Sequence, residues 1–140
     1  ITILRKRENF RKAFKNFDAR KMARFGKADV ARLMQDAGII RNRLKIAGAV
    51  TNANCFLDVQ QEFGSFDRYI WGFTGNKTLR NPKGVTRKTM KPTSPESDAL
   101  SKDLKRRGFK FVGSTVCYAH MQATGMVDDH VKGCFKYKKR

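Results

Sequence analysis

Apolar residues along the chain recur at helical spacing, and strand-like alternation of apolar and polar residues is nearly absent. A first segment carries one apolar stripe whose members are separated by three, four or seven residues: Ile3, Phe10, Phe14 and Phe17. A short helix capped by Asp18 follows, and a long helix is expected from about Arg41 to the residue before Gly64. The pattern predicts an all-α fold.

The second half of the chain changes character between Gly75 and Pro95. This stretch holds all three prolines and six Lys or Arg without an acid among them, which predicts an exposed basic loop over residues 75–95. Ser94-Pro95-Glu96 then has the composition of a helix start, with a cap, a proline at the first helical position and an acid. Ser114 is expected to cap an apolar helix that runs to Gly125.

Charge narrows the range of partners. The 140 residues suit a single domain, 1–140, and 31 Lys and Arg face 12 Asp and Glu, for a net charge of +19. Self-repulsion of this size favours a polyanionic partner, with a solvated basic surface or an RNA-held ribosomal protein as alternatives. Three widely spaced cysteines indicate a reducing cytoplasm. The sequence contains no apolar run of about 18 residues, so it predicts no membrane-spanning helix.

One turn between two predicted helices has the composition of an anion site. A glycine lies in the turn, and arginines lie where the second helix begins, so that unpaired helix amides and positive charge meet there. Gly38 is expected to adopt a backbone conformation that other residues avoid and so to expose those amides. The candidate DNA-contacting residues are Gly38, Ile39, Ile40, Arg41, Asn42 and Arg43.

This turn resembles a helix-hairpin-helix motif, which holds a DNA phosphate in a hydrophobic-Gly-hydrophobic-Gly turn. The chain departs from that pattern because Ile40 stands where the second glycine would be. An ordinary corner between two helices, with Gly38 as a C-cap and arginines on the surface, is the alternative. Contacts of this kind would fix the position of DNA without reading its sequence.

A second pattern concerns metal binding. His130 and Cys134 are four residues apart, so one helical turn or tight loop can direct both at one tetrahedral zinc ion. A structural zinc site normally needs four ligands. The nearby Cys117 and His120 lie in an apolar segment, where a small core residue and a hydrogen-bonded histidine are the more common roles. The His130 and Cys134 pair alone therefore does not decide whether the chain binds a metal ion.

Several blocks together resemble DNA-3-methyladenine glycosylase I, and the resemblance runs from Ile1 to about Cys134. The blocks occur in the order of that family: Asp36-Ala37-Gly38-Ile39-Ile40-Arg41-Asn42-Arg43, Ser97-Asp98-Ala99-Leu100-Ser101, Arg107-Gly108-Phe109-Lys110-Phe111-Val112-Gly113 and Asp129-His130-Val131-Lys132-Gly133-Cys134. The resemblance implies a helix-hairpin-helix glycosylase of bacterial cytoplasm that removes 3-methyladenine from alkylated double-stranded DNA and leaves an abasic site. We expect it to be a monomer.

The resemblance also assigns roles to residues. It implies a structural zinc ion with His130 and Cys134 as two of its four ligands, the other two being a Cys and a His from a segment that precedes Ile1. The catalytic glutamate and most base-stacking aromatics of the family are expected in that same segment, so residues 1–140 alone are expected to be largely inactive. Thr115 and Ala119 are expected to line the floor of the base pocket.

Two other functions remain to be compared with the glycosylase. A non-catalytic DNA-binding module built on the same hairpin would bind duplex without preference for damage. The hypothesis of an RNA-binding protein is supported by net charge alone, because the chain lacks aromatic residues interleaved with basic residues on a sheet.

Overall fold

In a computed structural model, which describes residues 1–81 and 84–137, the chain is mostly helical, as the apolar pattern predicts. The helices are α1 (Thr2–Arg5), α2 (Arg7–Ala13), α3 (Ala19–Ala23), α4 (Lys27–Gln35), α5 (Arg43–Phe63), α6 (Phe66–Trp71), α7 (Pro95–Arg106) and α8 (Ser114–Thr124). Short 3-10 turns cover Lys15–Phe17 and Gly72–Thr74, and two strands, β1 and β2, cover Leu79–Arg80 and Val127–Asp128. No helix in the described part of the chain has the length and apolar character that a membrane crossing requires.

The helix ends follow the local sequence. The Asp18 side chain accepts a hydrogen bond from the Lys21 amide and so caps α3, and α5 ends at Gly64, whose φ is 81°. At the start of α7, the Ser94 hydroxyl accepts a hydrogen bond from the Ser97 amide. The cap predicted at Ser94-Pro95 is therefore confirmed.

The chain forms two compact units, of which the first comprises Ile1–Ser65 and Arg107–Phe111. Helix α5 runs through this unit and packs against α3 and α4. Leu33 is 0% exposed in the core of the unit, whose other buried members are Ala13, Phe14, Met22, Ile39, Ile46 and Ala53. Burial of these side chains is the main stabilising contribution to the unit.

The first segment differs from the single apolar stripe that the sequence predicts. Lys6 separates α1 from α2, and Lys15, Asn16 and Phe17 all have left-handed backbone conformations, with φ of 52°, 59° and 56°. Ile3 and Phe17 are consequently 60% and 54% exposed, although Phe14 is buried. Three successive non-glycine residues at positive φ carry a strain that spacing of apolar residues does not reveal.

The second unit comprises residues 66–106 and the described residues after 111. Helices α7 and α8 pack against each other, and β1 pairs with β2 in parallel, with Leu79 opposite Val127. The basic stretch 75–95 is mostly exposed, but it contains β1 and the buried Val85. Residues 82 and 83 of this predicted loop lie outside the described residues.

Ser114 does not cap α8, which corrects the prediction made for it. Gly113 is the N-cap, and Ser114 is the first helical residue. The Ser114 hydroxyl lies 2.8 Å from the Ser97 hydroxyl and donates to the Asp98 carboxylate. Because these partners belong to α7, the serine joins the two helices of the second unit instead of satisfying a local amide.

Candidate nucleic-acid interface

The predicted anion site lies in the first unit, where the chain passes from α4 to α5. Helix α4 ends at Gln35 and α5 begins at Arg43. The Asn42 side chain accepts a hydrogen bond of 3.0 Å from the Lys45 amide and thereby caps α5. Ile39 is 2% exposed and anchors the turn in the core, whereas its neighbour Ile40 is exposed.

Gly38 is held on both sides by polar groups. Its amide donates to Asp36 Oδ1 at 2.7 Å, and its carbonyl accepts from Asn9 Nδ2 at 3.1 Å. Lys6 Nζ donates to the neighbouring carbonyl of Ala37 at 2.8 Å. Helix α2 and the residue before it therefore support the turn.

The reason predicted for a glycine at position 38 is wrong. The φ angle of Gly38 is not positive, so its backbone conformation is one that other residues adopt. Instead, a Cβ atom here would lie 2.9 Å from Asp36 Oδ1 and 3.2 Å from Asn9 Nδ2. A larger residue would therefore displace the ends of these two side chains, a crowding that the sequence does not show.

Other amides of the turn remain available. Within the described residues, no acceptor pairs with the amides of Ile40, Arg41, Arg43 or Leu44. The last two belong to the first turn of a 21-residue helix, whose dipole adds partial positive charge. The side chains of Arg41, Arg43 and Lys45 are exposed. These groups together can bind an anionic oxygen.

The predicted metal pair lies in the second unit, after β2. Cys134 Sγ and His130 Nδ1 are 3.7 Å apart. Two ligands of one tetrahedral zinc ion, with bonds of about 2.3 and 2.1 Å, would be separated by roughly 3.6 Å. The pair therefore fits zinc. Among residues 1–81 and 84–137, however, no group of three or more His, Cys, Asp or Glu could hold a metal ion.

Acids next to this pair have other partners. Asp128 forms an ion pair of 3.1 Å with Arg80. Asp129 accepts hydrogen bonds from the Tyr118 hydroxyl and from Gln122 Nε2, both on α8. Burial and the adjacent Asp129 carboxylate raise the pKa of Tyr118 well above its usual range. Tyr118 thus stays protonated and holds the segment before His130 on α8.

The two other candidate metal ligands, Cys117 and His120, have different surroundings. Cys117 is buried and its thiol donates weakly to the Val112 carbonyl, whereas His120 is exposed on α8. Burial raises the pKa of the Cys117 thiol, which disfavours the thiolate that metals bind. Cys117 thus has the core role considered for it, whereas the exposed position of His120 differs from the hydrogen-bonded role expected in an apolar segment.

The predicted pocket residues Thr115 and Ala119 lie on an exposed face of α8, beside Val116. Two acids that line the cavity beside Tyr118 have structural partners, since Asp98 binds Ser114 and Asp129 binds Tyr118, whereas Glu96 lines the same cavity without a hydrogen bond or ion pair to any described residue.

Sequence reasoning missed an apolar groove of about 700 Å³ in the first unit. Phe10, Phe14 and Phe17 line one wall in a stacked series, with ring centroids 6.0 Å apart between successive members. Residues of α5, including Ala49 and Phe56, line the other. The helical spacing of these phenylalanines was the signal in the sequence that could have revealed the groove. It predicted a buried stripe, but with the left-handed turn at Lys15–Phe17 the stripe lines an open groove.

The described residues define an all-α protein whose α4–α5 turn carries exposed arginines. A sequence model of the family described as methyladenine glycosylase matches residues 1–137. The chain is 47% identical over 137 residues to DNA-3-methyladenine glycosylase 1 of Escherichia coli (strain K12), a match that covers 98% of this chain and 73% of the relative. The chain belongs to the methyladenine glycosylase family.

Solved structures agree with this assignment. A crystal structure of 3-methyladenine DNA glycosylase I is 43% identical, with a TM-score of 0.91, and the match covers 98% of this chain and 75% of the other. A variant of 3-methyladenine DNA glycosylase I in complex with 3-methyladenine is 32% identical, also with a TM-score of 0.91, over 99% and 74% of the two chains. The predicted fold class and family are confirmed.

Proposed function

We propose that this protein acts in base-excision repair as a monofunctional DNA-3-methyladenine glycosylase. It hydrolyses the N-glycosidic bond of 3-methyladenine in alkylated DNA and leaves an abasic site. The observation that carries the proposal is the match to a DNA-3-methyladenine glycosylase at 47% identity along 98% of the chain. Its substrate is double-stranded DNA of the bacterial cytoplasm, and the protein works as a monomer.

The reaction requires the enzyme to bind the methylated base more than to activate the N-glycosidic bond. Adenine methylated at N3 carries positive charge and leaves readily, so the enzyme mainly has to flip the nucleotide and hold the base. Unstacking costs a few kcal/mol, which aromatic stacking in a pocket offsets, and a carboxylate beside the cationic base adds a charge-assisted contact. The family resemblance assigns that carboxylate and most of those aromatics to residues before Ile1.

The α4–α5 turn supplies the backbone grip on DNA. Binding of a phosphate oxygen there is supported by the amides of Ile40, Arg41 and Arg43, which have no acceptor among the described residues, and by the exposed arginine side chains. Contacts of this kind hold the duplex in register while a base is flipped, and they carry no sequence preference. The turn is supported by Asn9 and Asp36, so it need not be ordered by DNA at the moment of binding.

Release of 3-methyladenine from alkylated duplex, followed by chromatography, tests the activity. We expect residues 1–140 to release little base. The same chain, extended with the segment that precedes the aligned residues in the Escherichia coli relative, should release it readily. No release by the extended protein would contradict the glycosylase, and release by residues 1–140 alone would contradict the assignment of the pocket residues to that segment.

DNA binding by the turn is tested through its salt dependence. The slope of log K against log salt concentration becomes shallower by about 0.9 for each phosphate that the protein ceases to neutralise. We expect Arg41→Gln and Arg43→Gln each to lower the slope by about that amount. Unchanged slopes in both variants would remove the turn from the DNA interface.

We further propose that His130 and Cys134 are two ligands of a structural zinc ion, because their separation of 3.7 Å suits one tetrahedral ion. Zinc bound there would tie the segment after β2 to the residues that supply the remaining ligands. The chain offers a matched control, since its two histidines are His120 and His130. In the extended protein, His130→Ala should lower the zinc content measured by mass spectrometry, whereas His120→Ala should retain it; equal zinc in both variants would contradict the assignment.

A further inference from the structure

A cluster of basic side chains lies where α2 ends and the chain turns back toward α3. Arg11, Lys12, Lys15 and Lys21 line a depression of about 460 Å³, together with Glu8 and Asn16. We refer to these four cations as the basic cradle. The left-handed turn at Lys15–Phe17 reverses the chain here, and this reversal brings Lys21 of α3 to the basic face of α2.

The cradle is only partly neutralised by the protein. Lys21 lies 3.8 Å from Asp18, and Arg11 lies 3.9 Å from Glu8 and donates to Asn16 Oδ1 at 3.2 Å. No acid in the described part of the chain lies within ion-pair distance of Lys12 or Lys15, although the Lys15 charge contributes to lowering the pKa of Asp29, and both lysine side chains are exposed. Arg11 is oriented by its neighbours, while these two lysines present unpaired charge beside it.

The position of the cradle relative to the α4–α5 turn suggests its ligand. Helix α2 contacts that turn through Asn9, and Lys12 follows Asn9 by three residues and Lys15 by six. At about 1.5 Å per helical residue, Lys12 lies roughly 5 Å from Asn9 along α2, whereas Lys15 lies beyond the end of this helix at Ala13. Phosphates of one DNA strand are spaced by about 3.4 Å along the duplex axis. Lys12 is therefore separated from Asn9 by a distance similar to one or two phosphate spacings.

We propose that the basic cradle binds a second phosphate of the same DNA strand, within a few nucleotides of the phosphate held by the α4–α5 turn. This inference rests on the proposed function, because it extends the same DNA interface. Lys12 and Lys15 supply the charge, and Arg11, held by Asn16, supplies a planar donor for phosphate oxygens. Two contacts on one strand fix the direction of the backbone, which a single contact cannot do.

The test is the binding of the 140-residue chain to a fluorescently labelled duplex, measured by anisotropy over a series of NaCl concentrations. The double variant Lys12→Gln/Lys15→Gln keeps much of the aliphatic length of both side chains and removes two charges. We expect its log K against log salt slope to be shallower by about 0.9 than that of the unmodified chain, as when one phosphate is no longer neutralised. Thermal unfolding followed by circular dichroism verifies that both proteins are folded.

A control variant separates a local contact from an effect of total charge. Lys102→Gln/Lys105→Gln removes the same charge from exposed positions of α7 and should retain the original slope. An unchanged slope in Lys12→Gln/Lys15→Gln would contradict phosphate binding by the basic cradle. An equal reduction in the control variant would contradict it as well. If Arg41→Gln changes the slope and the cradle variant does not, the phosphate contact proposed for the turn is supported and the one proposed for the basic cradle is wrong. A chain that binds no duplex at all would contradict both.

Discussion

Replacement of Gly38 by alanine tests why the α4–α5 turn has its shape. The added Cβ would lie 2.9 Å from Asp36 Oδ1, a distance that real Cβ atoms essentially never show, and 3.2 Å from Asn9 Nδ2. Both side chains hydrogen-bond Gly38 itself, one through its amide and the other through its carbonyl. The substitution therefore pushes away the two groups that hold the turn.

The expected cost follows from these two hydrogen bonds. A bond to a carboxylate contributes about 1.5–3 kcal/mol and a neutral one about 1 kcal/mol, but both released side chains can reach water, which returns part of that energy. Alanine also lowers the entropy of the unfolded chain, which stabilises by about 0.4–1 kcal/mol. We expect Gly38→Ala to lower the free energy of unfolding by about 1–2 kcal/mol, the balance of these contributions.

Urea unfolding followed by circular dichroism measures this change, and Gly72→Ala is the matched control. A Cβ at Gly72 meets no atom within 4 Å, and its φ is not positive, so this variant should equal or slightly exceed the unmodified protein in stability. If Gly38→Ala is as stable as Gly72→Ala, the crowding argument fails.

Gly38→Asn distinguishes crowding from backbone conformation. Asparagine tolerates the left-handed region better than alanine, so a requirement for positive φ would make Gly38→Asn the milder change. Crowding by Asp36 and Asn9 makes it at least as harmful, because asparagine is the larger side chain. A clearly more stable asparagine variant would show that conformation, and not space, selects glycine at this position.

Other perturbations test each unit separately. Tyr118→Phe removes a buried hydrogen bond to the Asp129 carboxylate and should cost about 1.5–3 kcal/mol in urea unfolding; no loss would contradict that bond. Because the folded-state pKa of Tyr118 is raised, its contribution is complete below about pH 10 and is lost as the pH rises further, so the unmodified protein should lose stability more steeply there than the variant. Leu33→Ala should cost about 2–5 kcal/mol in the same assay, and a cost below about 1 kcal/mol would contradict its place in the core.

Helices were predictable because their signals are local. Asp18 and Ser94 accept hydrogen bonds from amides three residues further along the chain, and Gly64 ends α5 through its positive φ; each of these predictions is confirmed. Ser114 looked the same in sequence, yet its hydroxyl binds Asp98, 16 residues away. A cap and a tether between helices use the same side chain, so its immediate neighbours do not distinguish them.

The candidate sites divide in the same way. The sequence by itself determined the basic character of the chain, the turn with Gly38 and the spacing of His130 and Cys134, because charge, glycine content and i to i+4 spacing are properties of the chain alone. Only the tertiary structure decided that Asn9 crowds Gly38, that Lys21 joins Lys12 and Lys15, and that the Phe10–Phe17 stripe lines an open groove. Each of these depends on how the chain reverses between elements, and the left-handed turn at Lys15–Phe17 contains no glycine that would reveal it in the sequence.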